Sequence, residues 1–327
     1  MIQKEAFSYQ GVMGQVGAKN RIEKRKVELK KENTIIQVLL VLCCIVVGRI
    51  TIFGNVAPFG LSLYATLLQR RKGSLLSFAA VTAGMLSVRG GAFTFRYIGA
   101  MAIVCIILKA LDRVRIYYGN FITALAASGA LIISALVYGG IQPGGMLIYD
   151  YLAMGLESVI GFVMVYVFQY AIGVIGEKTR RRILSNEEMI SISIFIALLI
   201  SGLWDINIFG LSTRNILSIL FVLIFSYIGG PGVGASMGIM VGLVLSISSV
   251  QDPMLIAVFA VCGLVSGTFR DLGRLFTGCA FILANALMVF YINRSTSVML
   301  SFYEIGISTI ILAMLPMKSL KYIRQFL

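Results

Sequence analysis

The sequence predicts an all-α integral membrane protein, a polytopic bundle of ten to twelve transmembrane helices. Three observations predict it. The 327-residue chain is 58% hydrophobic with only 14 acidic residues, and its mean hydropathy is +0.92. That leaves too little polar surface to cover the core of a water-soluble fold of this size. The Lys and Arg residues gather at the two ends and in every second gap between apolar runs, which is how short cytoplasmic loops are marked. Features of the first half also recur in the second. The net charge of +14 is therefore a topology signal. The basic residues share no single soluble face, so no nucleic-acid partner is expected.

The chain opens with a basic tail, residues 1–33, in which Lys4, Lys19, Arg21, Lys24, Arg25, Lys26, Lys30 and Lys31 stand against Glu5, Glu23, Glu28 and Glu32. Its expected role is orientation, with contact to anionic lipid as a second one. No A-x-A-like site follows the first apolar run, so no cleavable signal peptide is expected. Twelve apolar segments follow, near 34–53, 55–69, 74–88, 93–111, 120–138, 146–175, 187–204, 211–229, 232–249, 254–269, 273–293 and 298–316. A spanning helix needs about 20 residues. The segments 55–69, 74–88 and 254–269 are short for that, and are expected to tilt or to form re-entrant pairs screened from lipid by neighbours. The segment 146–175 is long enough to tilt.

The gaps alternate in charge. Arg70-Arg71-Lys72, Lys109 with Arg113 and Arg115, Lys178 with Arg180 to Arg182, Arg270 with Arg274, and Lys318 with Lys321 and Arg324 mark cytoplasmic loops. The gaps between them, around Gly139–Gly145, Trp204–Gly210, Ser248–Pro253 and Asn293–Ser297, contain Gly, Pro and little Lys. Both termini are thereby placed in the cytoplasm. The turn Gly229-Gly230-Pro231-Gly232 should be cytoplasmic on this count but carries no charge.

Three coincidences suggest a duplicated six-segment half. Phe59-Gly60-Leu61-Ser62 recurs as Phe209-Gly210-Leu211-Ser212, 150 residues later, and Glu157 in the sixth segment is matched by Glu304 in the twelfth, 147 residues later. Asp112-Arg113 after segment four matches Arg270-Asp271 after segment ten. The organisation is then a tail (1–33), a first membrane half (34–175), a basic cytoplasmic linker (176–186), a second half (187–316) and a cytoplasmic exit (317–327). Halves of this kind usually face each other across a pseudo-two-fold axis along the membrane normal.

Few residues can carry chemistry. The chain has no His, which removes His metal ligands, His proton shuttles and His-activated nucleophiles. The five cysteines lie in apolar runs without C-x-x-C spacing and read as small buried hydrophobes. No catalytic residue, cofactor site or metal site is expected. The intramembrane polar candidates are Arg49, Arg96, Asp150, Glu157, Arg214 and Glu304. Each is costly in lipid and must face the bundle interior or snorkel to an interface. Arg49, Arg96, Arg214 and Asp150 fall near predicted outer ends, whereas Glu157 and Glu304 lie deeper. Those two glutamates either fix neighbouring helices in register, pairing with Arg96 and Arg49 or with each other, or line an ion or proton path. Gly230, Gly234, Gly238 and Gly242 recur every four residues and bare one helix face. That face suits close packing inside the chain or association with a second copy.

The order of several further features resembles a known family. They are Gly14-Gln15, Gly48-Arg49, Ala57-Pro58-Phe59-Gly60, Tyr149-Asp150-Tyr151 with Glu157, Glu187-Glu188, Gly202, Phe225-Ser226-Tyr227-Ile228-Gly229-Gly230 through Gly234, Gly238 and Gly242, and finally Phe302-Tyr303-Glu304 with Leu315-Pro316. Across essentially its whole length the chain resembles the membrane-embedded N-terminal region of the stage II sporulation protein E family of endospore-forming Gram-positive bacteria. That resemblance implies a membrane region, usually counted as ten helices, ahead of an oligomerising region and a PP2C-type serine/threonine phosphatase that uses manganese or magnesium. It implies dephosphorylation of an anti-anti-sigma factor, activation of the first forespore sigma factor, and association with cell-division ring proteins at the polar septum. This chain would then be the anchor, with the phosphatase and its metal-binding Asp residues lying beyond it, and its partners would be the lipid bilayer and other copies of itself. The alternative is a secondary transporter or channel built on Glu157 and Glu304.

Overall fold

The computed structural model describes residues 34, 37–52, 54, 56–71, 75–88, 90–114, 119–141, 146–176, 185–203, 207–208, 210–249, 253–293, 300–317 and 320. The tail 1–33, most of the linker and most of the exit segment lie outside the described residues. The chain divides into two compact units, Met1–Cys43 and Cys44–Leu327. The description below concerns the second.

Twelve α-helices are present among the described residues. They are α1 (Gln37–Gly48), whose residues 37–43 fall in the first unit, then α2 (Pro58–Gln69), α3 (Leu75–Leu86), α4 (Ala92–Arg113), α5 (Asn120–Ile141), α6 (Ile148–Gly176), α7 (Asn186–Gly202), α8 (Thr213–Gly229), α9 (Pro231–Ser249), α10 (Met254–Thr268), α11 (Arg274–Asn293) and α12 (Phe302–Met314). Five of them are long and apolar enough to cross a membrane: α4, α5, α6, α9 and α11. The fold is thus an all-α, multi-pass membrane bundle, and each apolar segment expected from the sequence contains one helix.

The helix starts follow local chemistry. Pro58 opens α2 and Pro231 opens α9, positions where a missing N–H costs nothing. At α7, Ser185 and Glu188 form a capping box: the Glu188 N–H donates to Ser185 Oγ (3.2 Å) and the Ser185 N–H to Glu188 Oε2 (3.0 Å). Ser212 caps α8 by accepting the Asn215 N–H at 3.3 Å. Gly230 ends α8 with φ +84°, a left-handed conformation that favours glycine, and α9 begins at the next residue. Gly230 is therefore a terminator and does not belong to the bare face of α9.

Several helices are short. α2 and α3 have 12 residues each, about 18 Å at ~1.5 Å per residue, well under a hydrocarbon thickness of about 30 Å. α2 keeps ten of its residues buried, and in the non-helical stretch before it Ile50, Ile52, Val56 and Ala57 are all 7% exposed or less. Irregular backbone at membrane depth is tolerated only where protein screens it from lipid, as here.

The packing of one half repeats in the other. In the first, α2 packs on α3, α4, α5 and α6, α3 on α4, α4 on α5, and α5 on α6; in the second, α8 packs on α9, α10, α11 and α12, α9 on α10, α10 on α11, and α11 on α12. The connections agree as well. Between α1 and α2, Ile52 and Val56 form an antiparallel bridge around Gly54 (φ +70°). Between α7 and α8, Asn207–Ile208 pairs with Leu211–Ser212 around Gly210 (φ +79°). This small hairpin is a β element that the sequence reading did not anticipate.

The hairpin corrects one expectation. Phe59-Gly60-Leu61-Ser62 lies inside α2, whereas Gly210, Leu211 and Ser212 of the matching sequence precede α8, so that match is out of register. The equivalent sequences are Ile50-Thr51-Ile52-Phe53-Gly54 and Ile206-Asn207-Ile208-Phe209-Gly210, 156 residues apart, with a left-handed glycine in each.

Candidate functional site: buried charges at helix ends

Glu157 is fully buried in α6. Its carboxylate accepts hydrogen bonds from Arg96 Nη2 and from the Tyr97 hydroxyl, both on α4. Tyr97, itself fully buried, accepts the N–H of Ala57 at 2.7 Å, and Ala57 is the residue before α2. The carboxylate therefore ties α6 to α4 directly and, through one hydroxyl, to the amino end of α2. Helix amino ends carry unpaired N–H groups and partial positive charge, which suits an anion nearby. Farther along the same pair, Ser62 Oγ on α2 donates to Gly161 O on α6 at 3.0 Å.

Glu304 plays the corresponding part in the second half. It is 4% exposed and stands in the first turn of α12. It accepts the Ser212 N–H at 2.9 Å, Asn215 Nδ2 at 3.3 and 3.2 Å, and the Ser301 N–H at 3.2 Å. Two helix amino ends, those of α8 and α12, thus converge on one carboxylate. One turn on, Ser308 Oγ donates to Ile216 O at 2.9 Å. The donors to Glu304 lie on α8 and at the start of α12, so the expected pairing with Arg49 is replaced by local neutral donors. Changing Glu304 to Gln puts an amide NH2 where the carboxylate faces N–H donors. We expect a loss of about 1.5–3 kcal/mol, measured as a lower unfolding midpoint in detergent. An unchanged midpoint would refute the clasp.

Three of the cations reach backbone carbonyls. Arg49 Nε donates to Gly202 O at 3.0 Å and Nη1 to Ser87 Oγ at 2.6 Å, so one guanidinium joins the carboxyl ends of α3 and α7 just after α1. Arg274 Nη1 donates to Ala313 O at 2.9 Å and Leu315 O at 2.6 Å at the end of α12. Arg70 Nη2 donates to Gln169 O at 2.7 Å and Nε to Gln169 Oε1 at 3.2 Å. Gln169 in turn donates to Gln69, and Gln69 Nε2 to Asn120 Oδ1 at 3.1 Å. Asp150 lies at the amino end of α6 and accepts the Leu147 N–H at 2.9 Å. Arg214 lies half-buried in the first turn of α8.

Glu304 and Asp150 stand at helix amino ends, and the Arg49 and Arg274 guanidiniums reach helix carboxyl ends, where helix polarity favours each sign. The arrangement fixes helices against one another. The structure brings Arg96 together with Glu157 as the sequence allowed. Tyr97, Asn215, Ser87, Gln69, Gln169 and Arg274 were missed; a lone Tyr or amide in an apolar run carries no periodic signal until its partner helix is known.

The glycine face is filled from within. A Cβ at Gly234 would collide with the carbonyl of Gly263, one at Gly238 with that of Phe259, and one at Gly242 would lie 2.7 Å from Ile256 Cα. Gly263 O also accepts Ser226 Oγ at 3.0 Å and Ser266 Oγ at 3.1 Å. Of the two uses foreseen for that face, packing on α10 occupies it, and a second copy would need a different surface.

Comparison with known proteins gives one consistent result. The model of the SpoIIE N-terminal domain matches residues 2–324. Stage II sporulation protein E of Bacillus subtilis (strain 168) is 25% identical over 286 residues, which is 86% of this chain but 34% of that protein. The chain thus spans about a third of the length of the curated relative it matches. No solved structure matches. A sporulation-protein family match over nearly the whole chain, on a buried-charge helix bundle, settles the grouping: the chain belongs to the SpoIIE N-terminal domain family.

Proposed function

We propose that this chain is the membrane anchor, septal-localisation and oligomerisation region of a sporulation serine/threonine phosphatase. The observation that carries the reading is the family match over residues 2–324 in a chain covering 34% of its B. subtilis relative. The phosphatase, of PP2C type and using manganese or magnesium, would follow the bundle. It would dephosphorylate an anti-anti-sigma factor and so activate the forespore sigma factor. Both termini would face the cytoplasm, where the basic gaps belong. Anchoring would confine the linked phosphatases to one membrane zone, with cell-division ring proteins and further copies as partners, and raise their effective concentration.

The engagement of Glu157 and Glu304 by fixed donors on neighbouring helices supports a scaffold over an ion path. The test is residues 1–327 fused to a fluorescent protein in a sporulating host. Enrichment at the polar septum is expected; uniform membrane fluorescence would remove the targeting role.

A further inference from the structure

Within the unit Cys44–Leu327, the repeated packing leaves a narrow seam between α2–α6 and α7–α12. Among helices α2 to α12, the pair that packs closely across it is α6 with α7, where the Phe168 and Phe195 rings meet edge-on at 5.7 Å. The second contact joins the carboxyl end of α1, which lies in the same unit, to α7, and these two are the equivalent first helices. A Cβ at Gly202 would collide with Val46 O and lie 2.9 Å from Val46 Cγ1, so the backbones touch there. Arg49 Nε closes the same spot by donating to Gly202 O at 3.0 Å. By contrast, the buried clasps at Glu157 and Glu304 each lie wholly inside one half. Equivalent helices in mutual contact are what a pair of like units related by a two-fold axis produces.

We propose that, inside the unit Cys44–Leu327, the two halves are separately packed bodies and that the surface formed by α6 and the end of α1 from Cys44 onward is a docking site for a second six-helix unit. Within this chain that unit is α7–α12, and Gly202 and Arg49 determine the fit. The halves hold together without the covalent linker. This goes beyond the anchoring role and does not depend on it.

The test uses the full chain with a specific protease site inserted in the segment 177–184. The protein is purified in detergent, cleaved, and run on a sizing column. The cleaved wild type is expected to migrate as one species containing both pieces. After cleavage Gly202→Leu should release two fragments that each keep helical circular dichroism, while its uncleaved form stays intact. Arg49→Ala should weaken retention of the pair roughly tenfold on dilution, as loss of one charged hydrogen bond implies. Glu304→Gln, inside one body, should lower the unfolding midpoint without loosening the pair. If the cleaved wild type falls apart, or if Gly202→Leu and Arg49→Ala both leave the cleaved pair as tight as wild type, the proposal is wrong. Should Gly202→Leu fail to accumulate, Arg49→Ala decides alone.

Discussion

Replacing Gly234 with leucine is expected to prevent the bundle from folding, while the same change at Gly232, two residues earlier, is expected to be tolerated. The would-be Cβ at Gly234 strikes the carbonyl oxygen of Gly263, and the would-be Cβ at Gly263 strikes that of Gly234. Neither neighbour is the movable end of a side chain. Room for four extra carbons requires α9 and α10 to separate. That breaks the contact at Gly238 and Gly242 as well, and exposes Gly263 O, which now accepts two serine hydroxyls. In lipid no hydrophobic force draws the helices back, so close backbone packing carries the association. The cost should exceed about 3 kcal/mol, the upper end for ordinary overpacking. Gly232 is exposed with nothing within 4 Å of its would-be Cβ. The check is the amount of monodisperse protein extracted from membranes and its unfolding midpoint. Equal yields and midpoints for the two variants would refute the packing account.

The second large effect is at Glu157. Truncating it to alanine leaves Arg96, whose side chain is 12% exposed, as a buried cation without its carboxylate. It also strips the Tyr97 hydroxyl of its acceptor. Breaking one side of a buried ion pair costs about 3–5 kcal/mol, whereas replacing both partners by apolar groups of similar size is often far less harmful. Glu157→Ala should therefore be more damaging than Glu304→Gln. The double change Glu157→Leu with Arg96→Met should recover much of the loss. Unfolding of the single and double variants in the same detergent measures this coupling. Strictly additive losses would mean that Arg96 and Glu157 do not stabilise one another.

Much of the fold was legible before the structure. Hydropathy located all twelve helices because a backbone in lipid must satisfy its hydrogen bonds internally, which leaves long apolar helical runs as the spanning solution. The shortness of α2 and α3 was visible too, since length can be counted. The repeat was partly visible. Glu157 and Glu304 each tie their helix to the start of α2 or α8, but Phe59-Gly60-Leu61-Ser62 was set against the wrong partner. A four-letter apolar match has many chance rivals, whereas Gly54 and Gly210 are tied together by φ angles of +70° and +79°, which are not written in the letters. The candidate site was legible only as a set of costly residues. Arg96 with Glu157 was among the pairings the sequence allowed; Glu304 with Asn215 and two backbone N–H groups was not.

By itself the sequence determined that this chain is a multi-pass helical membrane region, and its residue order pointed to the sporulation family it belongs to. Both are one-dimensional properties: the run of apolar residues, the placement of Lys and Arg, the succession of motifs. Only the tertiary structure decided what the buried charges and bare glycines do. Whether Glu304 meets a cation or a helix end, and whether Gly234 faces lipid, a second copy or α10, depends on which helices lie side by side. That is set by packing between segments far apart in the chain.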